Sequence, residues 1–222
     1  MIYLSNVYRY YHKVEPALNN INLTIEKGEF VFLTGASGAG KTTLLRLIFG
    51  EERGDEGQLR VNGQNVFQLK EREIPLLRRR IGFIFQDFKL IWSRTVFENV
   101  ALPLAMIGTA RSQIKKRVDE ILQMVRLEGH ARKRPGTLSA GEQQRVSIAR
   151  AMVNYPLILL ADEPTGNLDD ALSKDILDVL KDINSKGTTV IVATHQQSAI
   201  DHIPARTVTL DHGSIVSDTG IQ

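Results

Sequence analysis

The feature that most constrains this chain is a wholly apolar run, Phe30–Val31–Phe32–Leu33. It leads into the loop Gly35-Ala36-Ser37-Gly38-Ala39-Gly40-Lys41-Thr42 and then into a helix-like stretch through Ile48. A run without polar alternation suits a strand buried on both faces, as parallel sheets require. The glycines let the backbone curl so that consecutive N–H groups point inward, a shape that side chains would obstruct. With lysine and a hydroxyl at its end, and a strand and a helix on either side, the loop has the pattern of a phosphate cradle. Lys41 can then reach the β- and γ-phosphates of a nucleotide, and the Thr42 hydroxyl suits Mg²⁺.

Such a unit needs further parallel strands and covering helices. Apolar strand patterns are predicted at 58–61, 81–85, 157–160, 189–193 and 207–210. Alternation at Ile2, Leu4 and Val7, and at Ile21, Leu23 and Ile25, adds an antiparallel portion near the N-terminus. Between about 88 and 155 the pattern is helical instead, with Ile114, Val118, Ile121, Leu122 and Val125 on one face. No repeat or linker divides the chain. One α/β domain, 1–222, is expected: 1–87 and 156–222 form a catalytic lobe, and 88–155 forms an inserted helical lobe.

Two further segments carry chemistry. Leu157–Leu160 followed by Ala161-Asp162-Glu163 puts two acids at the end of a buried strand, where parallel sheets place their ligand chemistry. Asp162 would hold Mg²⁺ through water and Glu163 would act as general base on an attacking water. Adjacent acids at a strand end also serve as helix caps or salt-bridge partners, and it is the phosphate loop that favours the catalytic reading. The other segment is Leu138-Ser139-Ala140-Gly141-Glu142, where Ser139 and Glu142 form a capping box and open a helix whose N-terminus suits phosphate oxygens. Two phosphate-binding ends for one nucleotide suggest a site shared between two copies.

With those motifs the chain resembles the ATP-binding-cassette (ABC) ATPases over essentially its full length. Gln86 matches the family's Q-loop, Gly166-Asn167-Leu168-Asp169 its D-loop, and His195 in VATH its switch histidine. The resemblance implies a P-loop NTPase fold: a RecA-like parallel sheet core, an N-terminal antiparallel β portion and an inserted helical subdomain. It implies ATP and Mg²⁺ as ligands, with Glu163, His195, Lys41 and Gln86 catalytic and Thr42, Gln86 and Asp162 at the metal. Nucleotide contacts would come from Tyr11, Gly35 through Thr43 and, in a head-to-tail homodimer, from Ser139, Gly141 and Asp169 of the other copy. Tyr11 stands where the family stacks an aromatic ring on adenine, and strand alternation turns Tyr10 to the opposite side.

Within the family the nearest likeness is to the bacterial cell-division ATPases, carried most particularly by Glu73-Ile74-Pro75-Leu76-Leu77-Arg78-Arg79. It implies an FtsX-like integral membrane partner, control of peptidoglycan hydrolases and a peripheral place on the cytoplasmic face of the inner membrane. The contact surface is expected beside Gln86, where Phe88, Leu90, Ile91 and Trp92 crowd together. The alternative is a lipoprotein-release or efflux ATPase. A nucleic-acid cassette is disfavoured: about a hundred compact residues separate the phosphate loop from LSAGE, and there is one cassette only. A binder without turnover would not need Glu163.

Bulk properties fit. The net charge of +3 is weakly basic, far short of a nucleic-acid binder. There is no cysteine, so no disulfide framework or cysteine metal site exists, and no apolar run is long enough to span a bilayer. The basic triplets 78–80, 115–117 and 132–134 read as solvated helix faces. One departure stands out: Ala140 occupies a position where the family usually has glycine. A methyl against a phosphate would loosen that contact and implies slow or partner-dependent hydrolysis.

Overall fold

The computed structural model describes residues 1–11 and 16–220; residues 12–15, 221 and 222 of the expected single domain lie outside the described residues. In chain order the elements are β1 (Ile2–Tyr10), β2 (Pro16–Ile25), β3 (Phe30–Thr34), α1 (Lys41–Ile48), β4 (Glu56–Val61) and β5 (Gln64–Asn65). Next come α2 (Ile74–Arg78), β6 (Ile81–Ile84), α3 (Val96–Met106), α4 (Arg111–Met124), α5 (Ala140–Met152) and β7 (Ile158–Asp162). The chain ends with α6 (Asp170–Ser185), β8 (Thr189–Ala193), α7 (Gln197–His202), β9 (Arg206–Asp211) and β10 (Ser214–Asp218).

Two sheets result. A six-stranded one has the order β10-β9-β3-β8-β7-β6, parallel except for the antiparallel edge pair β9–β10. A four-stranded antiparallel one has the order β2-β1-β4-β5. The parallel strands are buried on both faces, and alternation sorts their side chains. Val31, Leu33, Leu160 and Ile191 join α1 and the antiparallel sheet in one core, while Phe32, Leu159, Val190 and Val192 join α3 to α6 in the other. The phosphate loop therefore leaves a strand locked from both sides and enters a helix wedged between two sheets.

The helices between 96 and 152 start where the sequence predicts. Thr95 and Glu98 cap α3, and Ser139 and Glu142 cap α5, each as a reciprocal capping box. Two basic triplets are more than solvated faces, however. Arg78 donates to the carbonyls of Phe49 and Gly50, and Arg117 donates to those of Met152 and Val153 while lying 3.3 Å from the centroid of the Tyr155 ring. Both satisfy carbonyls left open at helix ends.

Strand β10, which the sequence reading missed, is held by Arg206. Its guanidinium donates to both oxygens of Asp218, at 2.8 and 2.7 Å, and to Glu29 at 3.2 Å. The Arg206 hydrogen bond, outweighing burial, holds the Asp218 carboxyl below its usual value. A depressed carboxylate stabilises the fold above the unfolded pKa of about 3.9, and that stability is lost as pH falls through the folded value. Asp218→Asn is therefore expected to cost about 1 kcal/mol near neutrality. It should also flatten the loss of melting temperature below pH 4, read by calorimetry across a pH series.

Candidate functional site

The C-terminal ends of β3, β6, β7 and β8 deliver the functional side chains to one place, as the topology of a parallel sheet dictates. After β3 the loop turns at Gly35 (φ 139°), where a Cβ would lie 2.2 Å from the Leu210 carbonyl oxygen, and closes at Gly40 (φ 104°), where it would lie 2.6 Å from that of Ala17. Only glycine fits either position. Lys41 then opens α1. Its ammonium donates to the carbonyls of Gly35 at 2.7 Å and Ala36 at 3.0 Å and stands 3.8 Å from Glu163 Oε1.

Thr42 Oγ1 donates to Asp162 Oδ1 at 3.0 Å, joining the start of α1 to the end of β7. Burial is the main influence on Asp162 and pushes its carboxyl up, against the Thr42 hydrogen bond, which lowers it. Glu163 follows with φ 47°, a left-handed conformation that non-glycine residues adopt mostly where structure around them enforces it. Here its N–H donates to the Ala193 carbonyl at 2.9 Å. Its Oε1 accepts from His195 Nδ1 at 2.9 Å, and its Oε2 is buried with no hydrogen-bond partner. An orphaned buried carboxylate oxygen is costly unless a ligand or water completes it.

A cavity of about 440 Å³ brings Tyr11, Gln86, Glu163 and His195 together with Ser37, Gly38 and Gly40 through Thr43. Ala39 points away into the inter-sheet core, 4% exposed. The strand carrying Gln86 stops at Ile84, earlier than predicted, so Gln86 stands on a turn. The Tyr11 hydroxyl donates to Glu52 at 2.7 Å, and the Arg9 guanidinium lies 4.9 Å from the ring centroid. Tyr8 and Tyr10 stack on each other and are absent from the cavity lining.

Ser139, Gly141 and Asp169 do not line this cavity. Ser139 caps α5, accepting from Glu142 N–H at 3.3 Å, and Asp169 caps α6, accepting from Leu172 N–H at 2.9 Å. The two helix starts adjoin: a Cβ at Gly141 would stand 3.1 Å from Leu172 Cδ2. Ala140, not Gly141, is the first residue of α5, and it is exposed.

Several contributing residues escaped the sequence reading. Gln144 of α5 donates to the Pro164 carbonyl at 2.7 Å, and Asn167 donates to the Gln86 carbonyl at 3.4 Å. Glu52 was missed too. No periodicity marks such contacts; the only signal was that Gln144 and Asn167 lie inside motifs already singled out.

The expected aromatic contact surface is corrected. Leu90 is buried and Phe88 packs on the helical core, whereas Trp92 is 58% exposed, so the segment divides between core and solvent. An apolar groove of about 520 Å³ lies instead among Phe49, Phe83, Phe85, Pro103, Met106 and Ile107, with Met106 78% exposed. Among the described residues no helix is long and apolar enough to cross a membrane.

Comparison with known proteins agrees with this geometry. A family model described as "ABC transporter" matches residues 18–166. The cell division ATP-binding protein FtsE of Bacillus subtilis (strain 168) is 49% identical over 218 residues, covering 98% of this chain and 96% of that protein. Its counterpart in Escherichia coli (strain K12) is 47% identical, covering 99% of each. Among solved structures, the dimeric post-hydrolysis state of the ATP-binding cassette MJ0796, bound to ADP and Pi, superposes with a TM-score of 0.89. It is 38% identical, covering 98% of this chain and 97% of that one.

Proposed function

The chain belongs to the ABC transporter ATPase family, and from that premise we propose that it is the ATP-hydrolysing subunit of an FtsEX-like membrane complex of bacterial cell division. The observation that carries the catalytic reading is Glu163: a carboxylate oriented by His195, with one buried oxygen unpartnered at the wall of the nucleotide cavity. The cell-division reading is supported by relatives named FtsE that match over nearly the whole chain.

In this reading Lys41 exchanges the Gly35 and Ala36 carbonyls for the β- and γ-phosphate oxygens of ATP. Glu163 takes a proton from the attacking water, and ATP and water leave as ADP and phosphate. Because His195 Nδ1–H is committed to Glu163, Nε2 can donate to a γ-phosphate oxygen only when the ring is protonated. Tyr11 offers adenine a stacking face opposite Arg9. Ser139, Gly141 and Asp169 lie off their own cavity, and they serve the cavity of a second copy in a head-to-tail dimer. Residues 1–87 and 156–222 act as the catalytic lobe, and 88–155 as the lobe that carries LSAGE.

The donor set fits Mg²⁺: the Thr42 hydroxyl, the Asp162 carboxylate and the Gln86 amide oxygen are hard ligands. Burial disfavours the charged form of Asp162, which a neighbouring dication would favour. Bound there, the ion would neutralise charge on the phosphates.

A membrane partner is expected in the groove of Phe49, Phe83, Phe85 and Met106, placing the chain peripherally at the cytoplasmic face of the inner membrane. Purification of the tagged chain from native membranes tests this. An FtsX-like protein should co-purify, and recovery of a substrate-translocating permease instead would favour the lipoprotein-release or efflux alternative.

Ala140 bears on rate. Its exposed methyl sits at the start of α5, on the surface offered to the second copy's phosphate. Ala140→Gly is expected to raise the steady-state ATPase rate, by up to about 10²-fold if the methyl loosens a transition-state contact. The cost to the helix is at most about 1 kcal/mol. An unchanged rate together with unchanged ATP-driven dimerisation would remove the idea.

A further inference from the structure

Between the nucleotide cavity and the apolar groove runs a loop in an uncommon shape, and one arginine holds it. Phe88 (φ 59°) and Lys89 (φ 48°) are both left-handed. That conformation is disfavoured for residues with a Cβ and ordinarily falls on single positions. Arg150 Nη2 donates to the Phe88 carbonyl at 2.6 Å and Nη1 to the Lys89 carbonyl at 2.5 Å. Ser147, one turn earlier on α5, also donates to the Phe88 carbonyl, at 3.4 Å. Arg150 forms no ion pair among the described residues, so its fork serves the two carbonyls, each bond strengthened by the charge.

Farther along, the fully buried Asn99 of α3 accepts from Ile91 N–H at 2.8 Å and donates to the carbonyls of Ile91, Arg94 and Thr95. The stretch after Gln86 thus hangs from the helical lobe at two points. Asn99 anchors a stretch that joins α3 directly. Arg150 grips the part three residues from Gln86, and its own side chain lines the apolar groove without lining the nucleotide cavity.

We propose that Arg150 is a positioning residue for hydrolysis: by holding Phe88 and Lys89 left-handed, it sets where Gln86 stands in the nucleotide cavity and ties that position to α5. The inference rests on the hydrolytic reading above. Without the guanidinium the two residues relax toward right-handed backbone and Gln86 shifts, and a misplacement of about 1 Å can cost on the order of 10²-fold in rate. A lysine in its place reaches one carbonyl, because it lacks the planar fork.

The test uses the full chain as Arg150→Met, Arg150→Lys, and Arg150→Met combined with Lys89→Gly. The Lys89 side chain is 62% exposed, and glycine enters the left-handed region without steric penalty. The second change therefore restores the loop's shape without restoring the charge. Arg150→Met is expected to lower kcat by about 10²-fold while the ATP affinity of the protein changes less than about 2-fold. Arg150→Lys should fall between, and adding Lys89→Gly should recover roughly 10-fold of the loss. An unaltered kcat in Arg150→Met overturns the proposal, as does equal impairment with and without Lys89→Gly. Should Arg150→Met fail to fold, Arg150→Lys with and without Lys89→Gly decides on the same two criteria. Failure of the hydrolytic reading itself would show separately, as a wild-type chain that does not hydrolyse ATP.

Discussion

Replacing Glu163 with Gln is expected to lower the steady-state ATPase rate by about 10³-fold, the range over which a general base contributes. ATP should still bind. Glutamine keeps the side chain's length and an oxygen that can accept from His195 Nδ1, so the geometry of the cavity survives while the proton acceptor is lost. The ammonium of Lys41, 3.8 Å from Glu163 Oε1, also sheds a carboxylate that competes with phosphate for it. Bound nucleotide then persists, and the variant should elute as an ATP-stabilised dimer in size-exclusion chromatography. Phosphate release at the wild-type rate would remove Glu163 from the role of base.

Lys41→Ala should fail differently. Lys41 is 6% exposed, and its ammonium is held by two loop carbonyls beside Glu163. Truncation leaves those carbonyls and a largely buried carboxylate without their cation. The expected result is a loss of about 10³-fold or more in kcat/KM, with weakened ATP binding as part of it. Arginine should not restore it, because a planar fork on a longer stem does not reproduce a compact charge in this loop. Titration with a fluorescent ATP analogue separates the two variants: binding is retained in Glu163→Gln and lost in Lys41→Ala. Equal binding in both would mean that the lysine does not grip phosphate.

Much of this was legible in the sequence because buried parallel strands write themselves plainly. Phe30–Leu33, Leu157–Leu160 and Thr189–Ala193 are continuous apolar runs, and the structure buries β3, β7 and β8 accordingly. Strand β10 was invisible for the opposite reason: Ser214–Asp218 lies at a sheet edge, half-buried to exposed, and is held by Arg206 rather than by an apolar face. The loop after Gln86 misled more instructively. A cluster of large apolar letters at 88–92 suggested one surface, yet two left-handed residues turn the chain so that Leu90 goes inward and Trp92 outward. Local backbone reversals of this kind depend on a donor sixty residues away, Arg150, and no local pattern announces it.

The adjoining starts of α5 and α6 carry a consequence for how turnover depends on the amount of protein. Both caps sit off the cavity that their own chain builds, so a solitary molecule holds a complete nucleotide pocket and an incomplete catalyst. Hydrolysis is then second order in the chain wherever dimers are scarce, rising with the square of its concentration. A membrane partner that gathers two copies under one roof would act as a rate enhancer through encounter frequency alone, without altering a single bond in either active site.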